Sequence, residues 1–94
     1  ELYAGPVSLC VGSLESCLER WTDAIAHLDQ AVDETSALGA RSWRARSLLR
    51  LGEALMASGE EGRAHDVLAD ARREAEALGM SAVARRATEA VPSS

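Results

Sequence analysis

Three observations predict an all-α fold. The chain repeats itself at an interval of forty residues, its apolar residues recur at helical spacing, and no run alternates as a strand does. Shifted by forty, Leu9 falls on Leu49, Gly12 on Gly52, Ala24 on Ala64, Leu28 on Leu68 and Ala31 on Ala71. Glu34 falls on Glu74, and the triplet Ala37-Leu38-Gly39 on Ala77-Leu78-Gly79.

Each unit reads as two helices. Gly5-Pro6 opens helix one, because proline suits the first helical turn, and the helix runs to about Glu19. Helix two spans about Trp21 to Leu38, with Ala24, Leu28, Ala31 and Leu38 on one side, and Gly39 is its C-terminal stop. Helix three starts at Arg41 or Ser42 and reaches Ala57, with Leu48, Leu49, Leu51, Leu55 and Met56 forming a wide apolar face. Ser58-Gly59 ends it. Helix four runs from Glu61 to about Leu78 and stops at Gly79; Glu60 and Glu61 suit its positive end. A fifth helix, Ser81 to Ala90, carries Val83, Ala84 and Ala87 on one side, and Val91 to Ser94 is a tail. Short connections predict antiparallel neighbours. The expected organisation is one domain: repeat one at 1–39, repeat two at 40–79, and a capping helix with tail at 80–94.

Composition limits the function. The 94 residues suffice for one small domain, and 47% hydrophobic residues can form a core. Aromatics are confined to Tyr3, Trp21 and Trp43, so that core is built from Leu, Val and Ala. A net charge of −5 argues against a general binder of nucleic acid or anionic membrane. No stretch reaches the roughly 18 apolar residues that span a bilayer. Cys10 and Cys17 stand seven positions apart on helix one, roughly 10 Å along its axis and beyond a disulfide's reach of about 7 Å. A reducing, cytoplasmic setting is expected. The chain opens at Glu1, without a methionine, and turns apolar almost at once, as a fragment of a larger protein would.

The second unit resembles a tetratricopeptide repeat. That pattern is carried by Leu48, Leu51-Gly52 and Leu55 in its first helix, and by Ala64, Leu68 and Ala71 in its second, with Gly59 in the turn. The first unit matches at Val11-Gly12, Ala24, Leu28 and Ala31, with Trp21 at the aromatic position, and departs at Ser8 and Glu15, where large residues are expected. Ser36 and Glu76 stand where the family has a late proline. The family's usual period is ~34, so these helices are longer. The long period and the Ala-Leu-Gly endings resemble the repeat regions of large bacterial regulators. In these an ATPase module precedes the repeats, and a LuxR-type DNA-binding domain or a nucleotide cyclase is attached. The resemblance implies a right-handed solenoid of antiparallel helix pairs. It also implies a non-catalytic segment that senses a protein or peptide partner, or neighbouring domains of its own chain.

In such repeats the first helices line a concave groove. The positions implied here are Leu9, Cys10, Ser13 and Cys17 in unit one, and Arg46, Leu49, Arg50, Glu53 and Met56 in unit two. Helix three is the basic element: Arg41, Arg44, Arg46 and Arg50 lie in ten residues, whereas residues 1–40 hold seven acids against Arg20. Arg46 and Arg50, one turn apart, suit an acidic peptide, nucleotide or phosphate. The competing reading pairs the arginines with acids on neighbouring helices, such as Asp29, Asp33 and Glu53. The family's carboxylate clamp needs asparagine, which this chain lacks. Helix three is too apolar, and the chain too acidic, for a DNA-recognition helix.

Nothing in the sequence suggests catalysis, a cofactor or a metal. His27 and His65 follow Asp23 and Glu61 by four positions, not the three of the di-metal helix motif, and are expected to be solvated. No Ser-His-Asp set, phosphate loop or C-x-x-C occurs. Trp43 is expected to pack, not to stack on a ligand. A second expectation, of another class, is a structural spacer or homodimerisation element. Two units and one helix are a short array, whose ends are expected to expose Leu2, Tyr3, Val83 and Val91 and to promote self-association.

Overall fold

Four turns of one geometry divide the chain every twenty residues. In the computed structural model, which describes residues 5–91, positive φ falls on Glu19 (59°), Gly39 (68°), Gly59 (91°) and Gly79 (73°). The next residue's N–H, on Arg20, Ala40, Glu60 and Met80, donates back to the carbonyls of Glu15, Thr35, Leu55 and Ala75 at 2.8–3.0 Å. This is the Schellman ending, which satisfies the last carbonyls of a helix. The same four residues then start the following helix. Their carbonyls accept the first helical bonds, from Ala24, Arg44, Ala64 and Ala84, and no side chain caps any of these starts.

The elements are α1 (Val7–Cys17), α2 (Trp21–Leu38), α3 (Arg41–Ala57), α4 (Glu61–Ala77) and α5 (Ser81–Ala90), and the described residues form no strand. The all-α expectation holds, with five helices where five were expected. Two helices are slightly shorter than their sequence reading. Glu19 and Leu78 belong to the turns, because the chain must leave the helix before the left-handed residue.

Glu19 is the exception among the four left-handed residues, since it carries a Cβ. That conformation costs a non-glycine residue roughly 1–2 kcal/mol. Glycine there gives the unfolded chain extra entropy worth about 0.4–1 kcal/mol. Glu19→Gly is therefore expected to stabilise the protein by about 0.5–1 kcal/mol, raising the Tm by roughly 4 °C in a circular-dichroism melt. A lowered Tm would mean that the Glu19 side chain contributes more than its backbone strain costs.

Each helix packs along its successor, and α3 also touches α1 and α5. The repeat reappears in the packing. A Cβ on Gly12 would lie 2.7 Å from Leu28 Cγ, and one on Gly52 would lie 2.5 Å from Leu68 Cγ. The pairs Ala24/Ala64, Leu28/Leu68 and Ala31/Ala71 are all buried to 1% exposure or less. Thr35 and Ser47 are also fully buried, and their hydroxyls donate to the Ala31 and Trp43 carbonyls, each at 2.8 Å. Ser8, at a position where a large residue was expected, is buried with no partner for its hydroxyl.

Side-chain ion pairs tie the layers together at the surface. Arg44 on α3 pairs with Glu74 on α4 and donates through Nε to Ser36 on α2 at 2.7 Å. Arg63 on α4 reaches Asp29 on α2 at 2.5 Å.

The open ends differ from expectation. Val83 and Val91 are partly buried against the cluster of Leu48, Leu49, Leu68, Ala71 and Ala87. Leu2 and Tyr3 lie outside the described residues, as does the tail beyond Val91. The exposed large apolar side chains among the described residues are Val7, Val11, Leu14 and Leu18 in and just past α1, and Leu38 at the end of α2. Among the described residues no helix is long and apolar enough to cross a membrane.

Candidate functional site

The odd-numbered helices form a pocket of about 320 Å³. Helix α1 contributes Leu9, Cys10 and Ser13 to it; α3 contributes Trp43, Arg46, Leu49 and Arg50; α5 contributes Val83 and Arg86. The forty-residue shift relates these residues. It carries Leu9 to Leu49 and Cys10 to Arg50, and it carries Trp43 to Val83 and Arg46 to Arg86. The pocket is thus built from the same few positions of successive units, so their side chains converge without any special loop.

Six of the nine sequence-predicted positions meet here: Leu9, Cys10, Ser13, Arg46, Leu49 and Arg50. Three do not. Glu53 lies beside the pocket and binds Arg86 through both carboxylate oxygens, at 3.1 and 3.0 Å, with Arg50 at 3.8 Å. Met56 is not part of the pocket lining and sits half-buried against both apolar clusters. Cys17 closes α1, and its side chain lies outside the described set. Cys10 is an exposed free thiol. Sequence reasoning missed Trp43 as a wall, together with Val83 and Arg86. The signal for the last two was present: the same shift, applied to the fifth helix, converts Trp43 and Arg46 into them.

The pocket combines an apolar floor with a cationic rim. Leu9 and Leu49 are nearly fully buried, at 8% and 2% exposure. The Trp43 ring stands against Gly5, where a Cβ would lie 2.9 Å from Cζ3. The Arg46 guanidinium lies over that ring at 4.9 Å from its centroid, a cation–π contact that holds the charge at the rim. Trp43 therefore both packs, as expected, and forms a platform. Arg46, Arg50 and Arg86 line the pocket, and Glu53, paired with Arg50 and Arg86, lies beside it, so the lining itself is cationic in a chain of net charge −5. The four arginines of α3 divide by role. Arg44 is committed to Glu74 and Ser36, whereas Arg46 and Arg50 turn to the pocket. Arg50 also pairs with Glu53 of its own helix at 3.8 Å, as the competing reading allows, while Asp29 pairs with Arg63.

His27 departs from expectation in part. It stays at the surface, as expected, but it is engaged: Nδ1 lies 2.7 Å from Glu15 Oε1 on α1 and 3.1 Å from the Asp23 carbonyl oxygen. The shift by forty gives the reason: Glu15 and His27 occupy the positions of Leu55 and Val67, which pack in the apolar cluster between units. Unit one places a polar pair where unit two has an apolar contact. The hydrogen bond to Glu15 raises the His27 pKa above 6.5, the Glu15 charge and the Asp23 carbonyl add to this, and partial burial opposes it. A raised folded-state pKa means that the protonated pair stabilises the fold below about pH 6.5. The contribution is lost as pH rises through the folded-state value. The wild-type Tm is therefore expected to fall between about pH 6 and 8 relative to that of the Glu15→Leu/His27→Val variant. Parallel Tm profiles of the two proteins would remove the pair from the stability of the fold. His65 is exposed. Among the described residues no group of three or more His, Cys, Asp or Glu side chains could hold a metal.

Compared with protein-family models, with curated proteins and with solved structures, the chain shows no match.

Proposed function

We propose that this chain is a tetratricopeptide-like interaction segment, a right-handed solenoid of helix pairs, whose pocket on α1, α3 and α5 receives an acidic peptide anchored by an aliphatic side chain. One observation carries the reading. Equivalent positions of successive units converge on one concave site with Leu9, Leu49 and Val83 at its floor and Arg46, Arg50 and Arg86 at its rim. An apolar floor favours burial of a side chain, and guanidinium groups suit carboxylates. The combination of cations with apolar surface supports a binding role. The long repeat period and the Ala-Leu-Gly helix endings support placement within a larger bacterial signalling or transcriptional regulator.

The test uses fluorescein-labelled peptides in which Leu alternates with Asp or Glu, and a matched set with Lys in place of the acids, measured by anisotropy. The acidic set is expected to bind and the Lys set to fail. Arg46→Ala and Arg50→Ala are each expected to weaken binding about tenfold, in line with the loss of one charge-assisted hydrogen bond. Added salt should weaken binding further. Equal binding by both arginine variants, or no acidic peptide bound, would discard the groove.

A further inference from the structure

The outer side of α1 bears a continuous apolar stripe. Val7, Val11 and Leu14, with Leu18 just past the helix end, are 75%, 37%, 63% and 58% exposed. Their spacing of four, three and four residues aligns them along one side of a helix. The only charged residue of α1 is Glu15, and it is turned to His27. This stripe is neither the pocket side of α1, which carries Leu9, Cys10 and Ser13, nor the α2 side, where Gly12 meets Leu28.

The repeat shows what such a face does elsewhere in the molecule. The shift by forty carries Val7 to Ser47 and then to Ala87, which are 0% and 1% exposed. It carries Val11 to Leu51, at 2%, and then to Val91, packed against the second cluster. It carries Leu14 to Ala54, at 1%. In α3 these positions share a cluster with Ala24, Leu28 and Ala31 of α2, and in α5 they share one with Leu68 and Ala71 of α4. The face that α3 and α5 each bury in a cluster shared with the preceding helix is the face that α1 turns to solvent.

We propose that the outer face of α1 is the docking site of an amphipathic helix of the α2 and α4 kind, contributed from outside these residues. Continuity with the α2–α3 and α4–α5 interfaces fixes the kind of occupant. Its size follows from the residues present: Val7 and Leu14 are larger than Ser47 and Ala54, so the incoming helix needs alanine-sized side chains opposite them for close packing. A second copy of the chain fits less well. It has no such helix to offer, because the alanine-bearing sides of α2 and α4 are already buried within the copy. The site stands on the repeat and does not depend on the pocket being occupied.

The experiment adds a fluorescein-labelled peptide with the sequence of residues 60–80, which contains α4, to the whole chain and follows anisotropy. The unlabelled chain is run in parallel by sedimentation velocity. The peptide is expected to bind the wild type, and Leu14→Asp is expected to weaken it at least about tenfold by placing a charge in an apolar contact. Because Leu14 is exposed, the variant's own Tm should stay within about 2 °C of wild type. Arg46→Ala and Arg50→Ala should leave this binding unchanged, which separates it from the pocket. Three results overturn the proposal. The peptide fails to bind; it binds Leu14→Asp equally, which places it elsewhere; or the chain alone sediments as a dimer that Leu14→Asp dissociates, which assigns the face to a second copy.

Discussion

Replacing Gly52 with valine is expected to lower stability by about 3 kcal/mol and the Tm by roughly 15 °C. The reason is distance. A Cβ on Gly52 would lie 2.5 Å from both Cγ and Cδ2 of Leu68, and Leu68 is only 1% exposed. Its branch point cannot swing away as the end of a surface side chain would. The backbones of α3 and α4 must separate, or the cluster around Leu68 must be repacked, and overpacking of this kind costs about 1–3 kcal/mol even for smaller insertions. Helix propensity acts in the opposite direction, because glycine in a helix interior is about 0.5–1 kcal/mol worse than alanine. Gly62 isolates that part: it is exposed, it lies in α4, and a Cβ there meets nothing within 4 Å. Gly62→Ala should therefore stabilise by about 0.5–1 kcal/mol. Urea titrations of both variants check the pair. A stable Gly52→Val protein would mean that α3 and α4 lie farther apart than described.

That pair of glycines also shows how the fold could be read from sequence. The repeat aligns Gly12 with Gly52, and both meet a leucine that the same repeat aligns, Leu28 and Leu68. The helix count followed because Gly39, Gly59 and Gly79 mark left-handed turns, which glycine enters without steric cost. The first turn was harder to place. Its left-handed residue is Glu19, so the sequence there carries no stop signal, and the helix was read two residues too long. The twenty-residue turn period was hidden for the same reason.

The site was legible to the extent that it obeys the repeat. Leu9 and Leu49, identical under the shift, both line the pocket, and Arg46 and Arg50 were found as charges one turn apart on the same side of α3. Met56 packs against both apolar clusters and not in the pocket lining, a difference that apolar character alone does not reveal. Glu15 and His27 were misread for a different reason. Glu15 stands where a large residue is expected and His27 is expected to be solvated; their meeting at 2.7 Å depends on how α1 lies on α2, which no local pattern encodes. Arg86 and Val83 were overlooked because α5 was treated as a cap instead of the first helix of a third unit.

The second large effect is expected from Leu55→Ala, at about 3 kcal/mol, near the middle of the range for a fully buried leucine. Leu55 is 0% exposed and belongs to the cluster that joins Ala24, Leu28 and Ala31 of α2 to Ala64 of α4 through α3. Removing three carbons there leaves a cavity in a cluster where Ala24, Ala31, Ala54 and Ala64 are too small to move in and fill it. A chain of this length has a total stability of roughly 5–14 kcal/mol, so the variant should lose a large share of its cooperativity margin. Unit one has no equivalent of this residue, since Glu15 stands at that position. Its stability therefore depends more on the surface pair with His27 and on contact with α3. Amide hydrogen exchange should accordingly find α1 opening first in the wild type, with α3 protected to the global limit. In Leu55→Ala the protection of α3 should fall by the full 3 kcal/mol or so, while that of α1 changes less. Equal losses in both helices would mean that the five helices open as one unit. In that case the polar pair would be no weaker a join than the apolar contact it replaces.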